Sequence, residues 1–364
     1  MIRYGLIGAG MMGHEHIRNI ALLEGAGVTA LADPDPGMRA AALALQGGEA
    51  QVFADWRDMV SADLCDAYLI ASPNDAHHAT LLDLLPGNKP VLCEKPMCTT
   101  VAHCREVAAA AAGRSAPLWI AMEYRYMPPV QRLLAEVRAG TAGRPVMMAI
   151  REHRFAFLHK VGNWNRFSAR TGGTLVEKCC HFWDLMRLVL QSDPVRVYAS
   201  GAMDVNHLDE RCDGRVPDII DNAFVIVDFA NGARGMLDLA MFAEGSRWQE
   251  VIAVTGPRAR VTAKVPGPAR FAPDGRERAA RIAIADRATR TETEEEVHVD
   301  PAILGAGDHH GSTFYQHQRF LDLVRSGRGT PEVTAQDGLW SVIVGEAAER
   351  SARSGQAIAV GDAA

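Results

Sequence analysis

A short apolar run, residues 2–7, leads straight into Gly8-Ala9-Gly10-Met11-Met12-Gly13, and Asp33 follows twenty positions beyond the last glycine. Few folds require glycines at this spacing directly behind a strand. Gly8 permits a tight turn out of the strand, Gly10 lets the backbone approach a ligand, and Gly13 lets the next helix pack closely. Free N–H groups and the dipole at that helix N-terminus favour an anion, so the pattern is that of a pyrophosphate-binding βαβ unit with Met11 and Met12 in its phosphate loop. Glycine is common in this chain, 33 of 364 residues, and the spacing alone is weak. Its setting carries the reading: a strand before it, a helix-forming stretch (14–24) after it, and an acid closing a second apolar strand, 28–32.

That acid selects among nicotinamide cofactors. A carboxylate at Asp33 accepts hydrogen bonds from both ribose hydroxyls and repels a 2′-phosphate. A site for the phosphorylated cofactor usually offers a small residue followed by arginine, whereas this chain offers Asp33-Pro34-Asp35-Pro36, with the nearest arginine at Arg39. NAD is expected, and NADP is disfavoured. The alternative role for Asp33 is to cap the following helix.

At 364 residues the chain exceeds one ordinary compact domain, so two are expected. Its formal charge of −6, with no lysine or arginine cluster, disfavours a nucleic-acid surface. No apolar run is long enough for a membrane span, and the first residues enter a strand without a signal-peptide pattern. Seven cysteines lack CxxC spacing, which fits reduced thiols in a cytoplasm.

The first third alternates apolar runs with helical ones: strands at 67–71, 90–93 and 118–122, helices at 77–85 and 101–112. This predicts βαβ units and a doubly wound parallel sheet, a Rossmann domain over residues 1–122. The loops holding Ser72-Pro73-Asn74 and Glu94-Lys95-Pro96 fall at strand carboxyl ends, where such sheets bind ligands. Beyond residue 122 the texture changes. Strands at 146–154, 195–202, 223–229, 233–240 and 250–254 follow one another with few helices, and Asn231-Gly232 marks a hairpin. Residues 123–364 are therefore read as an α+β domain with a large open, mainly antiparallel sheet, of a kind that serves as an oligomer interface. One helix, 174–190, interrupts it; 266–293 reads as a long excursion over the active site or a partner subunit; 312–325 and 336–354 read as helices.

Two segments carry chemistry. Lys95, at the end of the 90–93 strand, lies where the nicotinamide should sit, and an ammonium there can stabilise the alkoxide that develops as a hydride leaves. Whether the Lys95–Pro96 bond is cis stays open. In Thr171-Gly172-Gly173-Thr174-Leu175-Val176-Glu177-Lys178-Cys179-Cys180-His181-Phe182-Trp183-Asp184, two glycines turn into a helix that places Glu177 and His181 four residues apart on one face, with Asp184 close to the same face. A histidine beside a carboxylate can move a proton near neutral pH. Cys179-Cys180-His181 is not a zinc site by its spacing, since adjacent residues point to different helix faces, and no metal is expected.

In this order and spacing, Gly8–Gly13, Ser72-Pro73-Asn74 with His77, Glu94-Lys95-Pro96, Gly172-Gly173…Glu177…His181…Asp184 and Val333-Thr334-Ala335-Gln336-Asp337-Gly338 resemble the family of glucose–fructose oxidoreductase, inositol dehydrogenase and the rhizopine-catabolism protein MocA. The resemblance covers essentially the whole chain. It implies that Lys95 and His181 are catalytic with Glu177 assisting, and that Gly8, Gly10, Met11, Met12, Gly13, Asp33, Ser72, Pro73, Asn74, His77, Glu94 and Lys95 hold the dinucleotide. Two departures stand out. Inositol dehydrogenases usually carry aspartate where this chain has Glu177, and asparagine is common where Glu123 stands.

The expected reaction is oxidation of a secondary hydroxyl on a sugar, sugar derivative or cyclitol. His181 would take the hydroxyl proton, Lys95 would stabilise the alkoxide, and Glu177 would accept a hydrogen bond from His181, Lys95 or the substrate. Candidate substrate contacts are Lys95, Arg125, His153, Asn163, Trp164, Glu177 and His181, drawn in part from the polar and aromatic residues before the catalytic helix. Their cations also admit an acidic sugar. Two other readings of the same motifs remain open, a glycoside-cleaving enzyme that recycles its NAD and a non-enzymatic NAD-sensing regulator. A homodimer or homotetramer through the large sheet is expected.

Overall fold

A computed structural model describes residues 1–363. The first unit runs β1 (Ile2–Ile7), α1 (Met11–Ala21), β2 (Ala26–Ala32), α2 (Pro36–Gln46), β3 (Gln51–Phe53), α3 (Trp56–Ser61), β4 (Ala67–Ile70), α4 (His77–Leu84), β5 (Val91–Cys93), α5 (Val101–Ala111) and β6 (Leu118–Ile120). Its six strands are parallel in the order β3-β2-β1-β4-β5-β6. The order reverses beside β1, which places the glycine turn at the switch point where such sheets bind ligands. Helix α1 starts directly after Gly10, three residues ahead of the expected stretch, so the phosphate loop is its first turn.

The second unit comprises α6 (Pro128–Arg138), β7 (Met147–His153), α7 (Ser168–Thr171), α8 (Thr174–Glu177), α9 (Cys180–Leu190), β8 (Pro194–Ala202), β9 (Asn222–Phe229), β10 (Arg234–Ala240), β11 (Glu250–Thr255), β12 (Ala259–Val265), β13 (Ala280–Asp286), β14 (Thr291–Val297), α10 (Pro301–Leu304), α11 (Ser312–Ser326), α12 (Ala335–Ser354) and β15 (Ile358–Ala359). Its nine-stranded sheet is antiparallel except where β7 pairs with β10. One face packs on the helices. Along β7, Met148, Ile150 and Glu152 point into the molecule, while Met147, Arg151 and His153 lie on the open face.

Two expectations are corrected here. The excursion predicted at 266–293 holds all of β13 and the start of β14, which extend the sheet. Ala280 and Ile282 face inward, and the acidic edge strand β14 is held by Arg281 to Glu294 and Glu296 and by Lys264 to Glu294. Charged side chains on an edge strand obscured its periodicity. The helix predicted at 174–190 is two helices, α8 and α9, that break at Lys178-Cys179.

The chain's end returns to the first unit. Ile120 N donates to Val333 O, and a Cβ on Gly338 of α12 would lie 3.1 Å from Ile120 Cγ1. Helix α12 opens on a capping box in which Thr334 and Asp337 satisfy each other's backbone N–H groups.

Candidate active site

The carboxyl ends of β1, β2, β4 and β5 open onto a cavity of about 700 Å³ lined by Gly8, Gly10, Met11, Met12, Asp33, Ser72, Pro73, Asn74, Glu94 and Lys95. The three motif glycines serve different ends. A Cβ on Gly8 would sit 2.4 Å from Ser72 N, with φ at +97°, and one on Gly13 would sit 2.4 Å from Gly8 O. Both are demanded by the fold itself. A Cβ on Gly10 would meet nothing within 4 Å, so that position keeps space open over the helix N-terminus. Gly13 accordingly packs behind the loop and does not line the cavity.

Asp33 stands half-buried in the wall, one oxygen accepting from Ala9 N at 2.8 Å and the other from Asp35 N at 2.8 Å. The helix cap falls to Asp35, which accepts from Met38 N, leaving Asp33 facing the cavity. The Arg39 guanidinium already donates to the carbonyls of Asp33 and Pro34. Ser72 Oγ and Asn74 Nδ2 are buried without a hydrogen-bond partner among the described residues. Polar groups in that state, beside an open helix N-terminus, fit a bound dinucleotide. His77 differs from its expected role. It is fully buried, lies outside the lining, and bridges the carbonyls of Pro96 and Ser72 at 2.9 and 3.0 Å. It braces the two loops that line the cavity.

Lys95 also lines the cavity, whereas Glu177 and His181 lie behind it and outside the lining, Glu177 meeting the Lys95 ammonium through its backbone carbonyl and His181 feeling its charge. The Lys95–Pro96 bond is cis. Lys95 Nζ donates to Glu177 O at 3.2 Å, and Cys180 Sγ lies 3.3 Å from the same carbonyl. The break between α8 and α9 frees that carbonyl from the helix ladder. Burial alone would depress the Lys95 ammonium, yet Cys180, Glu177 and Glu94 around it hold it above its ordinary value. Glu94 is fixed in turn by His16 at 3.0 Å and by Lys95 N. The imidazole of His181 is buried, and burial first, then the charges of Lys95, Lys178, His309 and Arg154, push it well below its ordinary value. It is neutral at pH 7 and free to accept a proton. The Glu177 carboxylate has Oε1 3.4 Å from Lys160 Nζ, while Oε2 is buried without a partner among the described residues.

Several candidate substrate contacts are placed elsewhere. Arg125 is buried in a bidentate pair with Asp184, at 2.6 and 2.5 Å, and donates to Glu332 O, so it is committed to the interior. Both Asp184 oxygens are thereby engaged by Arg125. His153 sits on the open face of the sheet, paired with Asp238 at 3.1 Å. Asn163 bonds His159, at a left-handed kink with φ of +49°, and does not line the cavity. Trp164 does line it, with Lys160 Nζ 4.4 Å over its ring.

Residues 2–122 match the model of an oxidoreductase family with an NAD-binding Rossmann fold, and residues 135–360 match that family's C-terminal alpha/beta domain. The chain belongs to the Gfo/Idh/MocA family. Among family members, the rhizopine catabolism protein MocA of Rhizobium meliloti is 28% identical over 256 residues, 70% of this chain and 76% of its own. An inositol 2-dehydrogenase of Acidothermus cellulolyticus is 32% identical over 195 residues, 53% of this chain and 54% of its own, so the match spans about half of that relative. In fold, an oxidoreductase domain protein from Kribbella flavida superposes with a TM-score of 0.82 at 21% identity, covering 98% of each chain. A levoglucosan dehydrogenase solved with NADH and levoglucosan superposes with a TM-score of 0.80 at 20% identity over 99% of each. This Gfo/Idh/MocA member is thus an oxidoreductase of the NAD-binding class.

Other residues at the site were not singled out from sequence. Lys160 lines the cavity against Glu177 and Trp164. Tyr124 stacks on His181, and its hydroxyl lies 2.5 Å from Lys178 Nζ and 3.2 Å from Glu250 Oε1. Lys178 in turn pairs with Glu152 at 2.9 Å. Glu152 was open to detection: strand alternation puts it on the buried face with Met148 and Ile150, and His153 on the other.

Proposed function

We propose that this protein oxidises a secondary hydroxyl of a sugar, sugar derivative or cyclitol, passing hydride to NAD. The observation that carries the reading is a charged Lys95 ammonium that lines the dinucleotide cavity and donates to the Glu177 carbonyl, with the neutral His181 imidazole near enough to feel its charge. A nicotinamide bound there supplies the hydride acceptor. His181 takes the hydroxyl proton, since its imidazole is the uncharged base of the site. Lys95 donates a hydrogen bond to the reacting oxygen and offsets the negative charge it gains as hydride leaves. The unpartnered Glu177 Oε2 accepts from a neighbouring hydroxyl, and Trp164 offers an apolar platform.

NAD is preferred over NADP because Asp33 faces the cavity and Arg39 is engaged with backbone carbonyls. A homodimer or homotetramer through the large sheet is supported by its open face, where Tyr198, Ile226 and Met236 are paired side by side across β8, β9 and β10 and are 43%, 50% and 42% exposed. Seven free cysteines, all buried, agree with a reducing compartment such as the cytoplasm. Among the described residues no helix is long and apolar enough to cross a membrane.

The test is NADH formation by purified protein with NAD⁺ against inositols, aldoses, uronates and simple glycosides, with NADP⁺ in parallel. Turnover of one stereochemical set with NAD⁺ supports the proposal. Glycoside cleavage without net NADH would replace it with the recycling chemistry, and NAD binding with neither product would point to a regulator.

A further inference from the structure

Glu123, on the turn after β6, is fully buried, and its Oε1 has no hydrogen-bond partner among the described residues. A buried carboxylate oxygen without a hydrogen bond is costly, and the imidazole paired with it, His309 with Nδ1 3.6 Å away, is already engaged with Glu15 at 2.7 Å. Two residues far away in sequence converge on it. Glu15 comes from α1, and His309 from the loop ahead of α11. One ligand atom from each of Glu15, Glu123 and His309 lies within 4.8 Å of the other two. The Thr313 hydroxyl stands 2.9 Å from Glu15 Oε1 and 2.7 Å from Glu123 Oε2. With a single proton it can satisfy only one of them.

We propose that Glu15, Glu123 and His309 form a binding site for one divalent transition-metal ion of the Zn²⁺ or Mn²⁺ kind. One imidazole nitrogen with two carboxylates is a ligand set these ions accept, and water completes the coordination. Ligand atoms about 2.1 Å from a tetrahedral ion stand roughly 3.4 Å apart. His309 Nδ1 and Glu123 Oε1 are 3.6 Å apart as they stand. His309 Nδ1 and Glu15 Oε1, at 2.7 Å, need only separate by less than an ångström. Thr313 then holds one of the two carboxylates from outside, as partners of metal ligands do. Close approach is built in: a Cβ on Gly307 would fall 2.4 Å from the Glu15 carboxylate. The side chain of His309 is 23% exposed, which gives the ion a path. The three residues sit on α1, on the turn after β6 and ahead of α11, so the ion would tie the dinucleotide domain to the chain's returning segment.

The experiment uses the full chain, treated with a chelator and dialysed. ZnCl₂ and MnCl₂ are titrated by calorimetry, bound metal is counted by elemental analysis, and melting is followed with and without metal. We expect one equivalent of Zn²⁺ or Mn²⁺ per chain and a rise in melting temperature. Glu123→Gln and His309→Gln should each weaken binding by more than the roughly tenfold typical of losing an outer partner, and Thr313→Val by about that amount. Failure of the parent protein to bind one equivalent of either ion overturns the site, as does unchanged binding in the ligand variants. If neither ligand variant folds, unchanged affinity in Thr313→Val overturns it.

Discussion

The phenol ring of Tyr124 lies parallel to the imidazole of His181, with centroids 4.1 Å apart and planes 8° from coplanar. His181 Nδ1 has no hydrogen-bond partner among the described residues, so the stack, and not a carboxylate, fixes the ring. Tyr124 is held in turn by Lys178 and Glu250 at its hydroxyl. Tyr124→Leu should lower kcat by about 10- to 100-fold, the range for a catalytic group misplaced by an ångström, while NAD affinity measured by fluorescence quenching stays constant. Tyr124→Phe keeps the stack and should lose much less. Equal losses in the two variants would show that the hydroxyl matters and the ring does not.

Acid dependence follows from the same imidazole. Burial and four surrounding cations push His181 well below its ordinary value of 6.5. The acceptor is the neutral form, which is populated above that lowered value. Activity should therefore rise through an acid limb lying below pH 6.5 and be flat by neutrality. Lys178→Met removes one of the cations and should move the limb upward. The profile of kcat/KM against pH reads this directly, and a limb above pH 6.5 in the parent protein would remove His181 as the base.

The motif glycines separate binding from folding. Gly13→Ala drives a methyl to 2.4 Å from Gly8 O and should cost roughly 1–3 kcal/mol, measured by urea denaturation. Gly10→Ala meets no protein atom within 4 Å and should leave that midpoint unchanged. Its methyl would instead stand where the pyrophosphate approaches, weakening NAD binding by about tenfold or more, at 1.4 kcal/mol per factor of ten.

Why some of this was legible and some was not has a physical answer. The placement of the glycine loop, Asp33, Ser72–Asn74 and Glu94–Lys95 on one cavity was readable because each directly follows a buried parallel strand. Strand parity was equally available, and would have placed Glu152 inside and His153 outside. Other features rest on partners no local pattern announces. Arg125 reaches Asp184 across 59 positions, and Thr313 reaches Glu123 across 190. The break between α8 and α9 was hidden because Lys178 and Cys179 are compatible with helix. It arises where the Glu177 carbonyl is taken by Lys95 and Cys180.

The pairing of Arg125 with Asp184 predicts a defect of stability. Removing one member of a buried pair strands the other charge and costs about 3–5 kcal/mol. Arg125→Ala should thus lower the unfolding free energy measured by urea denaturation by that amount, while the KM for substrate in the folded fraction is unchanged. A raised KM at normal stability would return Arg125 to the substrate pocket.

Glu250 makes the protein's stability depend on pH within an ordinary working range. Burial first, then the neighbouring Glu152 carboxylate, push Glu250 up to about 7 from 4.5. The folded state therefore favours its protonated form. Between those two values the folded protein binds more protons at this site than the unfolded chain, so the slope of stability with pH is negative there. The contribution is fully present below pH 4.5 and is lost as pH rises through 7, by roughly 1–3 kcal/mol. Glu250→Gln keeps an acceptor for the Tyr124 hydroxyl and removes the titration. Its urea midpoint should change less than the parent's between pH 5 and 8. It should also exceed the parent's at pH 8, where the parent holds two adjacent buried carboxylates against Lys178. Parallel pH profiles for the two proteins would mean that Glu250 is ionised throughout the range and that Lys178 neutralises it.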